Sequence, residues 1–187
     1  MADFRLSTSN TIRVPTMSSA KGLVRLSQGG TVVNELPFGG DAFVMTLVMP
    51  PAGTLTSFVD SLTPARWQSL LARLPLQSDT LLVQLPKFRL VVTRKLNDDF
   101  AALGMPSPFM RAQLNPMFHS PASNQALSQV VQKVFVDVYE EGAEAAAATA
   151  VEIIPISLPP TLIVDRPFLF AIRDRLSGTI LFFGNVV

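Results

Sequence analysis

The sequence predicts an α+β fold dominated by antiparallel strands, with a few short helices. Three observations point there. Residues 22 to 49 hold three β-branched or apolar runs, "GLVRLSQ", "TVVNELPF" and "AFVMTLVMP", separated by Gly29-Gly30 and Gly39-Gly40-Asp41, the spacing of an antiparallel meander. The helical patterns are brief and are closed by caps or by glycine. Near the C-terminus, "FLFAIRD" and "TILFFGNVV" read as two strands joined by a turn at Leu176 to Gly178. Both are too continuously apolar to leave a face in water, so both are expected at the centre of a core.

The remaining elements follow in chain order. "TLTSFVDSL" and "TPARWQSLLARL" predict two short helices, the second with Thr63 as N-cap and Pro64 at the first helical position, where a missing N–H costs nothing. Trp67 shares a face with Leu70, Leu71 and Leu74 and is read as packing. "DTLLVQLPKFRLVVTRKL" returns to strand, but Pro86 cannot donate to a ladder, so a break or a crossing between sheets is expected there. "KLNDDFAALGM" places Leu96, Phe100 and Leu103 at helical spacing before Gly104, a natural stop. Asp98 and Asp99 open that helix, where they complement its dipole; this is a simpler account of them than metal binding. After the irregular, proline-rich "PSPFMRAQLNPMFHSPASNQA", the segment "LSQVVQKVFVDVYEE" alternates with period two. Val130, Val134, Val136 and Val138 fall on one face, and Val131, Lys133, Phe135 and Asp137 on the other.

Composition narrows the function classes. A chain of 187 residues fits one domain. With 48% hydrophobic and 16% charged residues it is not disordered, and it holds more apolar surface than a chain this short usually covers, some of it calling for a partner. The net charge of +1 is spread over interspersed acids and bases, which argues against nucleic acid or an anionic membrane as partner. No apolar run approaches the length of a membrane span. The absence of cysteine removes disulfides and thiolate metal sites but leaves the compartment open. "MADFRLSTSNTIRVPTM" has no signal-peptide pattern. His119 beside Ser120 invites a catalytic story, yet adjacent side chains point apart and no G-x-S-x-G motif exists, so an enzyme is a remote reading. No cofactor is expected.

The stretch "EEGAEAAAATAVEIIPISLPP", residues 140 to 160, supports two readings. Alanine favours a surface helix. The flanks oppose one: Gly142 precedes the run, and the β-branched Thr149, Val151, Ile153 and Ile154 end it. As a strand, Ala143, Ala145, Ala147, Thr149, Val151 and Ile153 fall on one side and both Glu144 and Glu152 on the other. Small side chains of this kind can enter a packed sheet without overpacking it, which is the composition of a switch.

Here the chain resembles a known family. "VDVYEEGAEAAAATAVEI" resembles the reactive-loop hinge of the serpins, the serine protease inhibitors, and "VDRPFLFAI" their C-terminal signature. "IRVPTM", "NELPFGGDAFVMTLVMP" and "LPKFRLVVTRKLNDDFAALGM" are similar to the family's "VPMM" region, its sheet B hairpin, and its sheet A edge strand with the following helix. The resemblance covers residues 1–187 and implies the C-terminal half of a serpin domain: sheets B and C, edge strands of sheet A, and an exposed reactive loop at about 140–160. Gly142 and Ala143 would act as hinge, Ala145, Ala146, Ala147 and Ala148 would enter the sheet first, and Thr149 would suit the next inward position. The reactive bond would be Ile156–Ser157, and Lys87 and Glu140 would pair at the loop's base. An isoleucine before the bond suits elastase-like or subtilisin-like proteases as partners and not a trypsin-like pocket built around an acid.

What the resemblance implies is therefore an extracellular inhibitor of serine-type endopeptidases that works by suicide cleavage. The chain departs from the family's full pattern in lacking its N-terminal half, and in having Gln132 where many serpins carry histidine. The alternative is a truncated, non-inhibitory fragment, cut as a substrate or acting as a binding chain that needs the missing half. Without a signal pattern in this chain, the cytoplasm stays open as its location.

Overall fold

In the computed structural model the described residues are 1–7, 9–110, 114, 117, 125–139 and 160–187. They fall into two compact units, Met1–Lys87 with Tyr139–Val187, and Phe88–Val138.

The first unit is built on a seven-stranded sheet. The expected meander forms β3 (Thr16–Gln28), β4 (Thr31–Phe38) and β5 (Phe43–Met49), all antiparallel. Gly29 and Gly30 have φ of 56° and 77°, the left-handed conformation that a two-residue hairpin turn needs at both central positions. β3 begins six residues earlier than its sequence pattern suggests and serves two neighbours. Thr16–Leu23 pairs with β6 (Asp79–Pro86), while Val24–Gln28 pairs with β4. β9 (Thr161–Ile163), β10 (Phe168–Asp174) and β11 (Ile180–Val186) complete the order β11-β10-β5-β4-β3-β6-β9. A separate hairpin joins β1 (Ala2–Arg5) to β2 (Thr11–Val14), two strands too short to have shown a pattern.

Helices α1 (Leu55–Asp60) and α2 (Pro64–Leu71) cover one face. Thr63 is the N-cap as expected, its hydroxyl oxygen accepting from the Arg66 N–H at 3.2 Å. Trp67 is buried with Leu55, Phe58, Val33, Val48, Leu169 and Ala171, and Leu70, Leu71 and Leu74 pack against that cluster. Its ring meets Phe183 edge-on, with centroids 5.8 Å apart.

One expectation fails in this sheet. β10 is buried almost throughout, but β11 is an edge strand whose Ile180, Leu181, Phe182 and Phe183 are exposed. An apolar run says that a strand suits a core. It does not say how many neighbours the strand has, and β11 pairs with β10 alone among the described residues.

The second unit follows the break expected at Pro86. Beyond Lys87 the chain leaves the large sheet and forms β7 (Phe88–Lys95), antiparallel to β8 (Val131–Val138). Alternation in β8 is as read: Val134, Val136 and Val138 are the more buried side, and Val131, Lys133, Phe135 and Asp137 are exposed. α3 (Asn97–Ala102) carries Asp98 and Asp99 in its first turn, and Gly104 follows at φ 93°. Asp99 also accepts a two-pronged contact from Arg94, at 2.6 and 3.0 Å.

Candidate functional site

The residues expected to carry function, Glu140, Gly142, Ala143, Ala145, Ala146, Ala147, Ala148, Thr149, Ile156 and Ser157, lie outside the described residues, as do His119 and Ser120. The structure describes the strands that precede and follow residues 140–159 in the chain, one in each compact unit, and each is taken by itself.

On the C-terminal side the anchor is short and densely fixed. β9 lies parallel to β6, with Leu82, Val83 and Gln84 opposite Thr161, Leu162 and Ile163. The Leu82 N–H donates to the Pro160 carbonyl at 3.0 Å, and the Val164 N–H to the Gln84 carbonyl at 2.9 Å. Three residues make a weak strand by themselves, but Leu162 and Val164 are fully buried and hold it down. Asp165 and Arg166 then fasten the chain to distant turns. The Arg5 guanidinium meets Asp165 Oδ2 at 2.5 Å, and the Arg5 N–H donates to the Asp165 carbonyl at 2.7 Å. Arg166 Nε donates to the Pro50 carbonyl at 2.9 Å. "VDRPFLFAI" was singled out as a signature, but the work of Asp165 and Arg166 had no local signal, because Arg5 stands 160 positions away.

On the N-terminal side the anchor is β8. Its register with β7 runs from Phe88 opposite Val138 to Lys95 opposite Val131. Asn97 locks the start of this strand: its Oδ1 accepts from the Val130 N–H at 3.0 Å, and its Nδ2 donates to the Ser128 carbonyl at 3.1 Å. Arg89 lies over the Phe135 ring, 4.9 Å from its centroid. The other edge of β8 has no partner strand among the described residues. The Lys87 N–H donates to the Pro15 carbonyl at 2.8 Å; its expected ion-pair partner, Glu140, lies beyond the described residues.

Sequence reasoning missed two polar features of the large sheet. Arg173 donates through Nε to the Thr46 hydroxyl at 3.0 Å and through Nη2 to Glu35, and Thr46 in turn donates to Glu35 at 3.3 Å. This closed triad bridges β4, β5 and β10, and with Arg173 and Thr46 buried it forms a charge-assisted clasp. At the β10–β11 turn, Asp174 Oδ1 accepts from both the N–H and the hydroxyl of Ser177, each at 2.6 Å. The Ser177 side chain, followed by its N–H, holds the Asp174 carboxyl below its ordinary value.

Comparison with known proteins settles what these anchors belong to. A family model described as "Serpin (serine protease inhibitor)" matches residues 1–187. The chain belongs to the serpin family. It is 37% identical over 197 residues to Serpin-Z2B of Triticum aestivum, covering 99% of this chain and 49% of that protein. It is 34% identical to plasminogen activator inhibitor 1 of Bos taurus over 158 residues, 82% of this chain and 38% of that protein. In structure it is similar to tengpin, a thermophilic serpin in its native state, with a TM-score of 0.78 and 25% identity over 99% of this chain and 49% of tengpin. The chain thus spans about half the length of the serpins it matches. The α+β architecture read from the sequence is that of a C-terminal serpin portion.

Proposed function

We propose that residues 140–160 are the reactive loop of a serpin-type inhibitor, cut by an elastase-like or subtilisin-like serine protease at Ile156–Ser157. The observation that carries this reading is the run Ala143 to Thr149 between Gly142 and the β-branched end of the segment, in a chain of the serpin family. A strand of small residues inserts into a sheet without overpacking it, and that is the property a suicide loop needs. The apolar Ile156 offers no charge to an acidic specificity pocket. A relative named as an inhibitor, plasminogen activator inhibitor 1, supports the class. The working setting proposed is extracellular.

A specific observation favours a second reading for these 187 residues acting alone. Insertion needs a strand on each side of the incoming loop, and among the described residues β8 offers one open edge with no strand beyond it. Without that second strand the ladder hydrogen bonds and burial that drive the transition are incomplete. The chain alone is then a substrate, and trapping requires the part of a serpin that lies beyond the half matched here.

Brief digestion with an elastase-like protease, followed by mass spectrometry, tests the register. The first cut is expected within residues 154–159, and Ile156→Arg is expected to shift susceptibility toward trypsin-like enzymes. Early cuts confined to other segments would overturn the assignment.

A further inference from the structure

We propose that the groove between α2 and the β3–β4 hairpin binds a small organic anion with an apolar tail, of the chemistry of a medium-chain carboxylate. The groove has a volume of 320 Å³, near the lower end of the roughly 300 to 1,000 Å³ usual for ligand sites. Leu26, Val33, Phe58 and Leu70 form its apolar part. Val33 and Phe58 belong to the buried cluster around Trp67, and Leu26 and Leu70 pack against it. The floor is therefore held by the core and exists before any ligand arrives.

Two cations border this floor. Arg66, in the first turn of α2, and Arg73, just beyond the end of that helix, both line the groove. Among the described residues that line the groove none is acidic. The arginines are positioned by neutral groups instead. Arg66 lies 4.9 Å from the centroid of the Phe58 ring and donates to the carbonyl and hydroxyl of Ser61. Arg73 donates through Nη1 to Gln28 Oε1 at 2.9 Å. Each guanidinium has five N–H donors, so these contacts orient the groups and leave donors for a ligand.

The arrangement selects by sign and by shape. Two positive groups facing one apolar floor favour a negative head, and an alkyl tail on Leu26, Val33 and Leu70 gains from leaving water. A cation of the same shape meets repulsion. A short anion such as acetate meets the charge but cannot use the floor. The proposal does not rest on the inhibitory reading, and its lining residues among those described come from β3, β4, α1, α2 and the turn after α2.

Titration of the 187-residue chain with octanoate, followed by NMR on the Leu26 and Leu70 methyls and the Arg73 side chain, tests the proposal. Octanoate is expected to give saturable shifts, with octanol weaker and octylammonium and acetate giving none at the same concentration. Arg73→Gln should weaken octanoate binding by about fivefold, the upper range for an exposed charge contact, while Arg73→Lys restores most of it. Gln28→Glu, which sets a carboxylate against Arg73, should abolish it. Both sites are at the surface, so thermal unfolding should stay unchanged and show that the fold survives. Equal binding of octanoate, octanol and octylammonium would overturn the proposal. So would unchanged affinity in both Arg73→Gln and Gln28→Glu.

Discussion

β10 and β11 are neighbours in one hairpin and look alike in sequence, "FLFAIRD" and "ILFFGNV", yet one is buried almost throughout and the other is open. β10 lies between β5 and β11, and its Phe168, Leu169, Phe170 and Ala171 have almost no exposure. β11 has one neighbour among the described residues, and Leu181 and Phe183 remain about half exposed, at 50% and 49%. Side-chain chemistry decides whether a strand can be buried. Position in the sheet decides whether it is. An uncharged, apolar edge of this kind is a liability in a finished sheet; β8, with no second neighbour among the described residues, also exposes Phe135 but flanks it with the exposed Lys133 and Asp137.

The comparison can be broken most directly by truncating one leucine on each strand. Leu169→Ala should cost about 2 to 5 kcal/mol, as for other buried leucines, whereas Leu181→Ala should stay within about 0.5 kcal/mol. Urea unfolding of the two variants measures the difference, and similar losses would mean that β11 is covered. Next in size is the clasp that ties β10 to β4 and β5. Removing one partner of a buried ion pair leaves the other uncompensated, so Glu35→Ala should cost about 3 kcal/mol, and the double variant Glu35→Ala with Arg173→Met should cost less than Glu35→Ala alone because no charge is then stranded.

Smaller effects sharpen the contrast within β11 itself. Gly184 lies under the Phe170 ring, and a Cβ there would stand 3.0 Å from two ring carbons. Gly184→Ala should therefore cost about 1 to 3 kcal/mol in a strand whose other residues tolerate change. The smallest effect belongs to the turn. The Asp174 carboxyl is held below its ordinary 3.8, so its contribution is complete above that value and fades as pH falls through the lower folded value. Ser177→Ala should lower the unfolding midpoint slightly at neutral pH, and the gap from the parent chain should close below pH 3.8.

Much of this was legible where the signal is local. Thr63 and Pro64 start α2, Gly29 and Gly30 turn β3 into β4, and Pro86 ends β6, because each acts on its own backbone. What escaped is what depends on distant chain. Arg173 and Glu35 are 138 positions apart, and Arg5 and Asp165 are 160 apart, so no window of sequence holds both partners. β9 has three residues and is a strand only because β6 accepts it. The exposure of β11 was missed for the same reason, since a hydrophobic pattern cannot count neighbours. The loop's expected residues rest on the motif and on membership in the family.

The central proposal is that the loop is of the inhibitory kind and that, among the described residues, the sheet it would enter offers β8 no second strand. It is tested by incubating the chain with an elastase-like protease and running the mixture, boiled in detergent, on a denaturing gel beside thermal melts taken before and after cleavage. The expected result is cleaved chain, free protease, no covalent adduct and no large rise in melting temperature. A protease adduct that survives boiling would contradict the claim, because it would show that these residues suffice to insert the loop and trap the enzyme.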